Sequence, residues 1–371
     1  MRALLIVNPN ATSTTSGRRD VIVRALKSAV DLEVVQTRYR GDATRLAAAA
    51  AVEKFGLVIT LGGDGTVNEA VNGLLGGADS PDGRAAVSQG PAWVPRADAA
   101  DLPALAALPG GNANVFIRSL ALPDDPVDAT ARLIEDLAAG RERLIGLGCA
   151  NGRYFTFNAG LGLDAEVVRA VDGMRAHGRT LTPTLFALTA LRQYYQMTDR
   201  HRPAITIAEP VGLCPDALFL CIVSNSAPWT YLGHRPVNTN PRASFDTGLD
   251  LLGFRSLGTV ATLRALQQML TERGEPPHGR ALVSGHDLPG VVLRALRPMA
   301  FQLDGEYMGE TEQVSFRSVP AALKVIGLAA PITANGRHPG AAEHAGHRAH
   351  ARHVTDPTPK SLRTFAEDSC G

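Results

Sequence analysis

Through residues 1–140 apolar and polar positions come in blocks whose period keeps switching. Ala3 to Val7 is an unbroken apolar run, as expected of a strand buried on both faces. A polar stretch follows, Asn8-Pro9-Asn10-Ala11-Thr12 and then Ser13 to Gly17. Apolar residues return at Val21, Ile22, Ala25, Leu26 and Ala29, which is helical spacing. Leu32 to Thr37 predicts a second strand, and Leu57 to Leu61 a third. Between them a helix runs from Asp42, its expected N-cap, to about Lys54. A glycine-rich turn leads from the third strand into a helix over Val67 to Leu75. Gly76 to Leu102, rich in Gly, Pro and Asp and holding Trp93, predicts a surface loop. Ala104 to Leu108 predicts a further strand, ending in a second glycine turn that opens onto a helix, and Asp128 to Ala139 another helix. Strands alternating with helices over short connections predict a parallel sheet in a three-layer α/β unit. Ligands of such sheets gather beyond the carboxyl ends of the strands, where Asn8, Thr37 and Asp64 all fall.

From Leu144 the texture changes to short β-like runs: Arg153 to Ala159, Ala204 to Ala208, Leu218 to Ser224, Leu249 to Arg255, Val291 to Leu296, Met299 to Leu303 and Gln313 to Val319. Helices are expected only at Leu181 to Met197 and near Thr259 to Arg273. These runs predict a mainly-β sandwich of two packed sheets. Ala322 to Leu328 reads as a last strand returning to the first unit. The expected division is 1–140, completed by a strand within 320–329; then 141–319; then a tail over 330–371 whose composition predicts disorder. His344, His347, His350 and His353 recur in that tail without the accompanying ligands of a metal site.

Composition narrows the classes. A length of 371 residues suggests two domains, and 45% hydrophobic content supplies a substantial core. A net charge of +1 gives no field that would draw nucleic acid. Four cysteines without a C-x-x-C pair fit a reduced, cytoplasmic setting. No run of 18 apolar residues predicts a membrane span, so lipid contact would be peripheral.

The candidate chemistry starts at Gly62-Gly63-Asp64-Gly65-Thr66. Three glycines remove Cβ atoms where a phosphate group approaches the backbone. The N–H groups and dipole of the following helix favour an anion there. A carboxylate beside that cradle makes sense if Mg²⁺ lies between. Glu69 equally suits the second half of a capping box. The turn is neither a Walker A loop, since no Gly-Lys-Ser/Thr follows, nor a G-x-G-x-x-G fingerprint. A second acidic element, Asp304-Gly305-Glu306, follows an expected strand. Continued as a strand, it points both carboxylates to one face. Read as an Asp-Gly hairpin turn, it leaves both acids exposed.

The ordered set Asn8-Pro9, Gly62-Gly63-Asp64-Gly65-Thr66-Val67-Asn68-Glu69, Pro109-Gly110-Gly111-x-x-Asn114-x-Phe116, Asn158-Ala159-Gly160-x-Gly162-x-Asp164-Ala165 and Leu303-Asp304-Gly305-Glu306 resembles the diacylglycerol kinase catalytic-domain family, from about Arg2 to about Leu328. That family also takes in sphingosine kinases. The resemblance implies an NAD kinase-like α/β nucleotide domain and a β-rich second domain, with the active site in the cleft between them. It implies ATP and Mg²⁺ as cofactors, a lipid acceptor such as diacylglycerol, and a homodimer as an open assembly. Asn8, Pro9, Asn10, Ala11, Thr12 and Thr37 are implied to line the nucleotide site. Gly62, Gly63, Asp64, Gly65, Thr66, Val67 and Asn68 are implied to hold the phosphates, with Asp64 near Mg²⁺. The Pro109 to Asn114 turn is implied to close over the nucleotide, with Asn112 where the family has Thr. Glu306 is implied as general base, with Asp304 beside it. A structural metal loop of the family corresponds to Ala243 to Asp250, where Asp246 and the carbonyl of Gly248 are the candidate ligands and a plain turn is the other reading. For lipid contact, Trp229 in a Pro-containing loop and the Leu181 to Met197 helix are the candidates. A sphingoid base or NAD as acceptor, or a regulator without catalysis, are the competing readings.

Overall fold

A computed structural model describes residues 1–11, 15–77, 99–176, 202–271 and 274–327. Thr12, Trp93, the Leu181 to Met197 stretch and the tail from Ala330 lie outside the described residues.

The first unit follows from three strands that are apolar on both faces, with a more polar strand, β2, at the open edge. Strands β1 (Arg2–Val7), β2 (Asp31–Gln36), β3 (Leu57–Gly62) and β4 (Ala104–Pro109) form a parallel sheet in the order β2-β1-β3-β4. Ala3, Leu5, Val7, Leu57, Ile59 and Leu61 face one core with Ile22 and Leu26 of α1 (Ser16–Ala29). Leu4, Ile6 and Val58 face the other core, against α2 (Asp42–Val52) and α3 (Asp64–Leu75). Burying both faces explains the lack of alternation in these runs. Two helices follow β4: the short α4 (Val115–Ser119), and α5 (Pro126–Ala138), which is capped by the Asp125 side chain and packs on the α1 side.

The second unit is antiparallel. Its strands are β5 (Glu142–Ala150), β6 (Arg153–Phe155), β7 (Asn158–Gly162), β8 (Ile205–Glu209), β9 (Leu220–Ser224), the β10 (Thr230–Leu232) and β11 (Arg235–Val237) hairpin, β12 (Leu249–Phe254), β13 (Leu282–Leu288), β14 (Gly290–Leu303) and β15 (Glu306–Ile326). Helix α6 (Leu163–Ala176) follows β7, and the helix Thr259–Met269 covers the outer face through Ala265 and Met269. Strand β15 joins the two halves. It pairs with β14 and β5, and near its end Val325 pairs parallel with Leu105 of β4. The last strand therefore does return to the first sheet, and all strands but the β10–β11 hairpin share one hydrogen-bonded network among the described residues. This is the expected architecture of an α/β unit with a β-rich partner.

Several local expectations are corrected. Val291 to Leu296 and Met299 to Leu303 are one strand, with a register shift between Arg294 and Met299 where Pro298 lacks an N–H to give. Gln313 to Val319 and the stretch from Ala322 also merge into one strand that ends at Ile326, across a shift between Val319 and Leu323 that holds Pro320, and Ala321 at φ 49°. Asp42 is not the N-cap of α2; Gly41 is, at φ 89°. Helix α3 starts at Asp64, so the glycine turn is itself the first helical turn.

Candidate active site

The carboxyl ends of β1, β2, β3 and β4 lie side by side, and the predicted phosphate-binding elements grow from them. Asn8 N–H donates to the Leu61 carbonyl (3.0 Å), and Thr37 N–H to the Val7 carbonyl (2.9 Å). The Asn8 side chain ties its own loop to the glycine turn: Nδ2 donates to Thr66 Oγ1 (3.2 Å), and Oδ1 accepts from Asn10 N–H (2.9 Å). Pro9 and Ala11 sit in the same loop, where Ala11 N–H donates to the Asn8 carbonyl (3.1 Å).

The two glycine turns pack backbone against backbone. Gly110 N–H donates to the Gly62 carbonyl (2.8 Å). A Cβ at Gly110 would sit 2.7 Å from Gly62 Cα, and one at Gly111 2.8 Å from Gly63 Cα. Glycine is required at both positions for this reason of space. Helix α3 opens from Gly63 with no side chain capping it; Thr66 N–H turns back to the Gly63 carbonyl (3.0 Å), so the N–H groups of Asp64 and Gly65 are the ones suited to an anion. Asn114, at φ 46°, locks the second turn by accepting from Gly111 N–H (2.9 Å) and donating to the Gly111 carbonyl (3.0 Å) and Asp124 (2.9 Å). Asn112 is exposed at the tip of that turn.

Asp64 links the turns. Its Oδ1 accepts from Phe116 N–H (3.0 Å), and Val115 N–H also reaches it, so the carboxylate caps α4. Burial pushes its carboxyl up to about 6; the two N–H donors oppose the rise, and the charges of Asp304 and Asp124 add to it. Val67 and Asn68 do not join the cradle. One turn further along α3, Val67 is buried in the core and Asn68 is buried toward the second unit. The Asn68 Nδ2 group donates to the Tyr154 carbonyl (3.0 Å) and to Asp304 Oδ2 (2.8 Å), while Oδ1 accepts from Arg153 (3.0 Å). Glu69 completes no capping box of its own helix. It caps α2 instead, accepting from Gly41 N–H (2.8 Å) and Ala43 N–H (3.1 Å).

Asp304-Gly305 is a hairpin turn between β14 and β15, with φ of 47° and 75° at its two residues. These are the positive values of a type I′ turn. The expectation of two carboxylates on one strand face is therefore corrected, and so is the exposure expected of the hairpin alternative. Asp304 is 3% exposed. Its Oδ2 accepts from Asn68 (2.8 Å), Thr156 N–H (2.7 Å) and Thr156 Oγ1 (2.9 Å); its Oδ1 accepts from Phe157 N–H (3.0 Å) and Asn158 N–H (3.2 Å). Burial raises its carboxyl above the usual carboxylate range, and the N–H groups of Phe157 and Thr156 lead the opposing pull. With both oxygens taken up by protein donors, Asp304 fixes the turn rather than meeting a ligand.

Glu306 starts β15 just beyond that turn and reaches the first glycine turn. A Cβ on Gly65 would lie 2.5 Å from Glu306 Oε1, and Oε2 accepts from Arg40 Nη2 (3.2 Å). The carboxylate from the second unit thus faces the glycine turn of the first. Arg40, not singled out from the sequence, enters the site through this pair.

Asp246 and Gly248 are not gathered into a ligand shell. Asp246 pairs with Arg143 (2.7 Å), and Gly248 N–H donates to Asp287 Oδ1 (2.6 Å). No group of three or more His, Cys, Asp or Glu residues suited to a metal is assembled among the described residues. Trp229 is half-buried against the outer core, its carbonyl accepting from Asn158 Nδ2 (2.8 Å). Among the described residues no helix is long and apolar enough to cross a membrane.

The profile of the diacylglycerol kinase catalytic domain matches residues 2–143. The diacylglycerol kinase of Bacillus subtilis (strain 168) is 33% identical over 320 residues, covering 83% of this chain and 90% of that protein. The chain belongs to the diacylglycerol kinase family. A diacylglycerol kinase of Staphylococcus saprophyticus is 31% identical over 156 residues, 42% of this chain and 43% of its own. Among solved structures, a diacylglycerol kinase from Bacillus anthracis str. Sterne superposes with a TM-score of 0.59 at 20% identity, over 88% of this chain and 96% of that one. This likeness extends the family's fold through the β-rich half, beyond the 2–143 match.

Proposed function

We propose that this member of the diacylglycerol kinase family is an ATP-dependent phosphotransferase acting on an alcohol. It transfers the γ-phosphoryl group to the hydroxyl of diacylglycerol, giving phosphatidic acid and ADP. The single observation carrying this reading is Glu306 against Gly65, a base aimed at a phosphate cradle. The acceptor oxygen forms a bond to the γ-phosphorus as the bond to the β,γ-bridging oxygen breaks, and the hydroxyl proton passes to the Glu306 carboxylate. Residues 1–140, closed by the end of β15, hold the nucleotide; residues 141–319 hold the acceptor. Asn8 and Thr66 fix the strand-end loops, and the N–H groups of Asp64 and Gly65 take the phosphates.

The residues also fit Mg²⁺. A magnesium ion bound with a nucleotide takes one or two carboxylates, phosphate oxygens and water. Asp64, whose buried carboxyl is held near 6 beside the charges of Asp304 and Asp124, is the group whose ionised form a cation would favour. The ion would neutralise charge on the phosphates. The enzyme would act in the cytoplasm, touching the membrane surface to reach its lipid. Labelled ATP with diacylglycerol in mixed micelles tests the reading. Phosphatidic acid should form, and Glu306→Gln should reduce turnover by at least about 100-fold while the fold persists. No product above that of Glu306→Gln would refute it. A panel with a sphingoid base and NAD as competing acceptors fixes the substrate.

A further inference from the structure

Several carboxylates gather where the proposed nucleotide would bind. Asp64 and Glu306 flank the glycine turn, with Asp304 and Asp124 behind them. Arg153 is buried with its guanidinium on Asn68. Arg40 is different. It rises from the loop between β2 and α2, above the strand ends, and its side chain is 52% exposed. That loop is anchored at both ends: Thr37 N–H bonds to β1, and Glu69 of α3 holds Gly41 and Ala43. From it the Arg40 guanidinium reaches Glu306 Oε2 at 3.2 Å, while Oε1 of the same carboxylate lies against Gly65.

We infer that Arg40 is a positioning residue shared between two anions: it pairs with Glu306 in the nucleotide-free enzyme and with the terminal phosphate of a bound nucleoside triphosphate. The inference rests on the kinase reading above and adds a coupling to it. Arrival of the triphosphate draws the guanidinium off Glu306 and leaves the carboxylate open to the acceptor hydroxyl. Loss of the γ-phosphoryl group on transfer returns Arg40 to Glu306. A half-exposed ion pair is weak enough to exchange in this way. A phosphate binds a guanidinium through charge-assisted bonds, often two at once, and so is a strong competitor. Because Glu306 and the terminal phosphate compete for one cation, removing either anion should strengthen the hold on the other.

The test is calorimetric titration of the full chain, without lipid, with the β,γ-imido analogue of ATP and with ADP. Arg40→Ala should weaken the analogue roughly 10- to 100-fold, the range of one charged hydrogen bond, and change ADP by less than about twofold. Arg40→Lys should recover part of that affinity. Glu306→Gln should tighten the analogue about two- to fivefold with Arg40 present, and by less in the Arg40→Ala background. Equal weakening of analogue and ADP by Arg40→Ala would reduce Arg40 to a structural residue and overturn the inference. Equal gains from Glu306→Gln in both backgrounds would also overturn it, because the two anions would then not share the cation. Failure of the unaltered protein to bind either nucleotide would overturn the kinase reading itself.

Discussion

Replacing Asp304 with Asn keeps the shape of the side chain and exchanges one acceptor oxygen for a donor. Asn tolerates the left-handed backbone that Asp304 adopts at φ 47°, so the substitution leaves the turn unstrained. The electrostatics change fully. Oδ2 faces three donors and Oδ1 faces two, so either orientation of the amide sets an N–H₂ group against at least two N–H or O–H donors. Each buried donor left facing the amide N–H₂ group costs about 1–3 kcal/mol, and relief of the burial penalty that raises the Asp304 carboxyl recovers part of this, so Asp304→Asn should cost about 2–4 kcal/mol. Thr156→Ala removes one donor of the five and should cost about 1 kcal/mol. Urea denaturation followed by circular dichroism measures both, as a fall in midpoint at constant slope. Activity should fall with stability in Asp304→Asn, since the same bonds hold the turn that presents Glu306. A loss of stability under about 1 kcal/mol, with turnover abolished, would refute the reasoning and return Asp304 to a direct role in the chemistry.

Other perturbations separate packing from chemistry. Gly65→Ala puts a methyl 2.5 Å from Glu306 Oε1, the movable end of a side chain; turnover should drop at least tenfold with little change in melting temperature. Gly110→Ala instead meets Gly62 backbone atoms at 2.7–3.0 Å and should lose about 1–3 kcal/mol of stability, read by thermal melts. Burial pushes the Asp164 carboxyl up to about 6 against a hydrogen bond from Gln302. A raised carboxyl favours the protonated fold, so the stability this group contributes is complete below about pH 4 and lost as pH rises through 6. Asp164→Asn should therefore gain on the parent protein between pH 4 and 6 and hold a constant lead above; a lead that does not vary with pH would refute this. Asp246→Ala breaks a pair whose carboxylate is 67% exposed, and should cost less than about 1 kcal/mol with or without a chelator present.

The first unit was legible because β1, β3 and β4 are apolar on both faces and the turns after β3 and β4 carry glycines. Ala3 to Val7 and Leu57 to Leu61 needed no distant partner to be read as buried strands. The second unit obeys long-range rules instead. Arg153 to Ala159 reads as one run, yet it breaks at Thr156 and Phe157, whose N–H groups turn to the Asp304 carboxylate. Nothing within that run announces a partner so far along the chain. Helix α6 did leave a local signal, with Ala165, Val167, Val168 and Val171 on its buried side. Strand β5 left one too, with Ile145, Leu147 and Cys149 alternating toward the core. At the site, residue types singled out Glu306 and the glycine turn as candidates, while the burial of Asn68 and Asp304 follows from contacts between the units. Arg40 carried no local sign, because only the fold brings it to Glu306.

The placement of β15 also sets an order of assembly during synthesis. The edge of β4 waits for its partner until Val325 has been made, and β14 and β5 wait for the same strand. At typical elongation rates of about 5–20 residues per second, the first sheet stands with that edge unpaired for roughly 10–40 s. An unpaired edge invites pairing with another chain. A chain stopped short of β15 would lose the covering strand of the first sheet and the central strand of the second together, so a premature stop near residue 305 should yield an aggregating product rather than a free nucleotide-binding half.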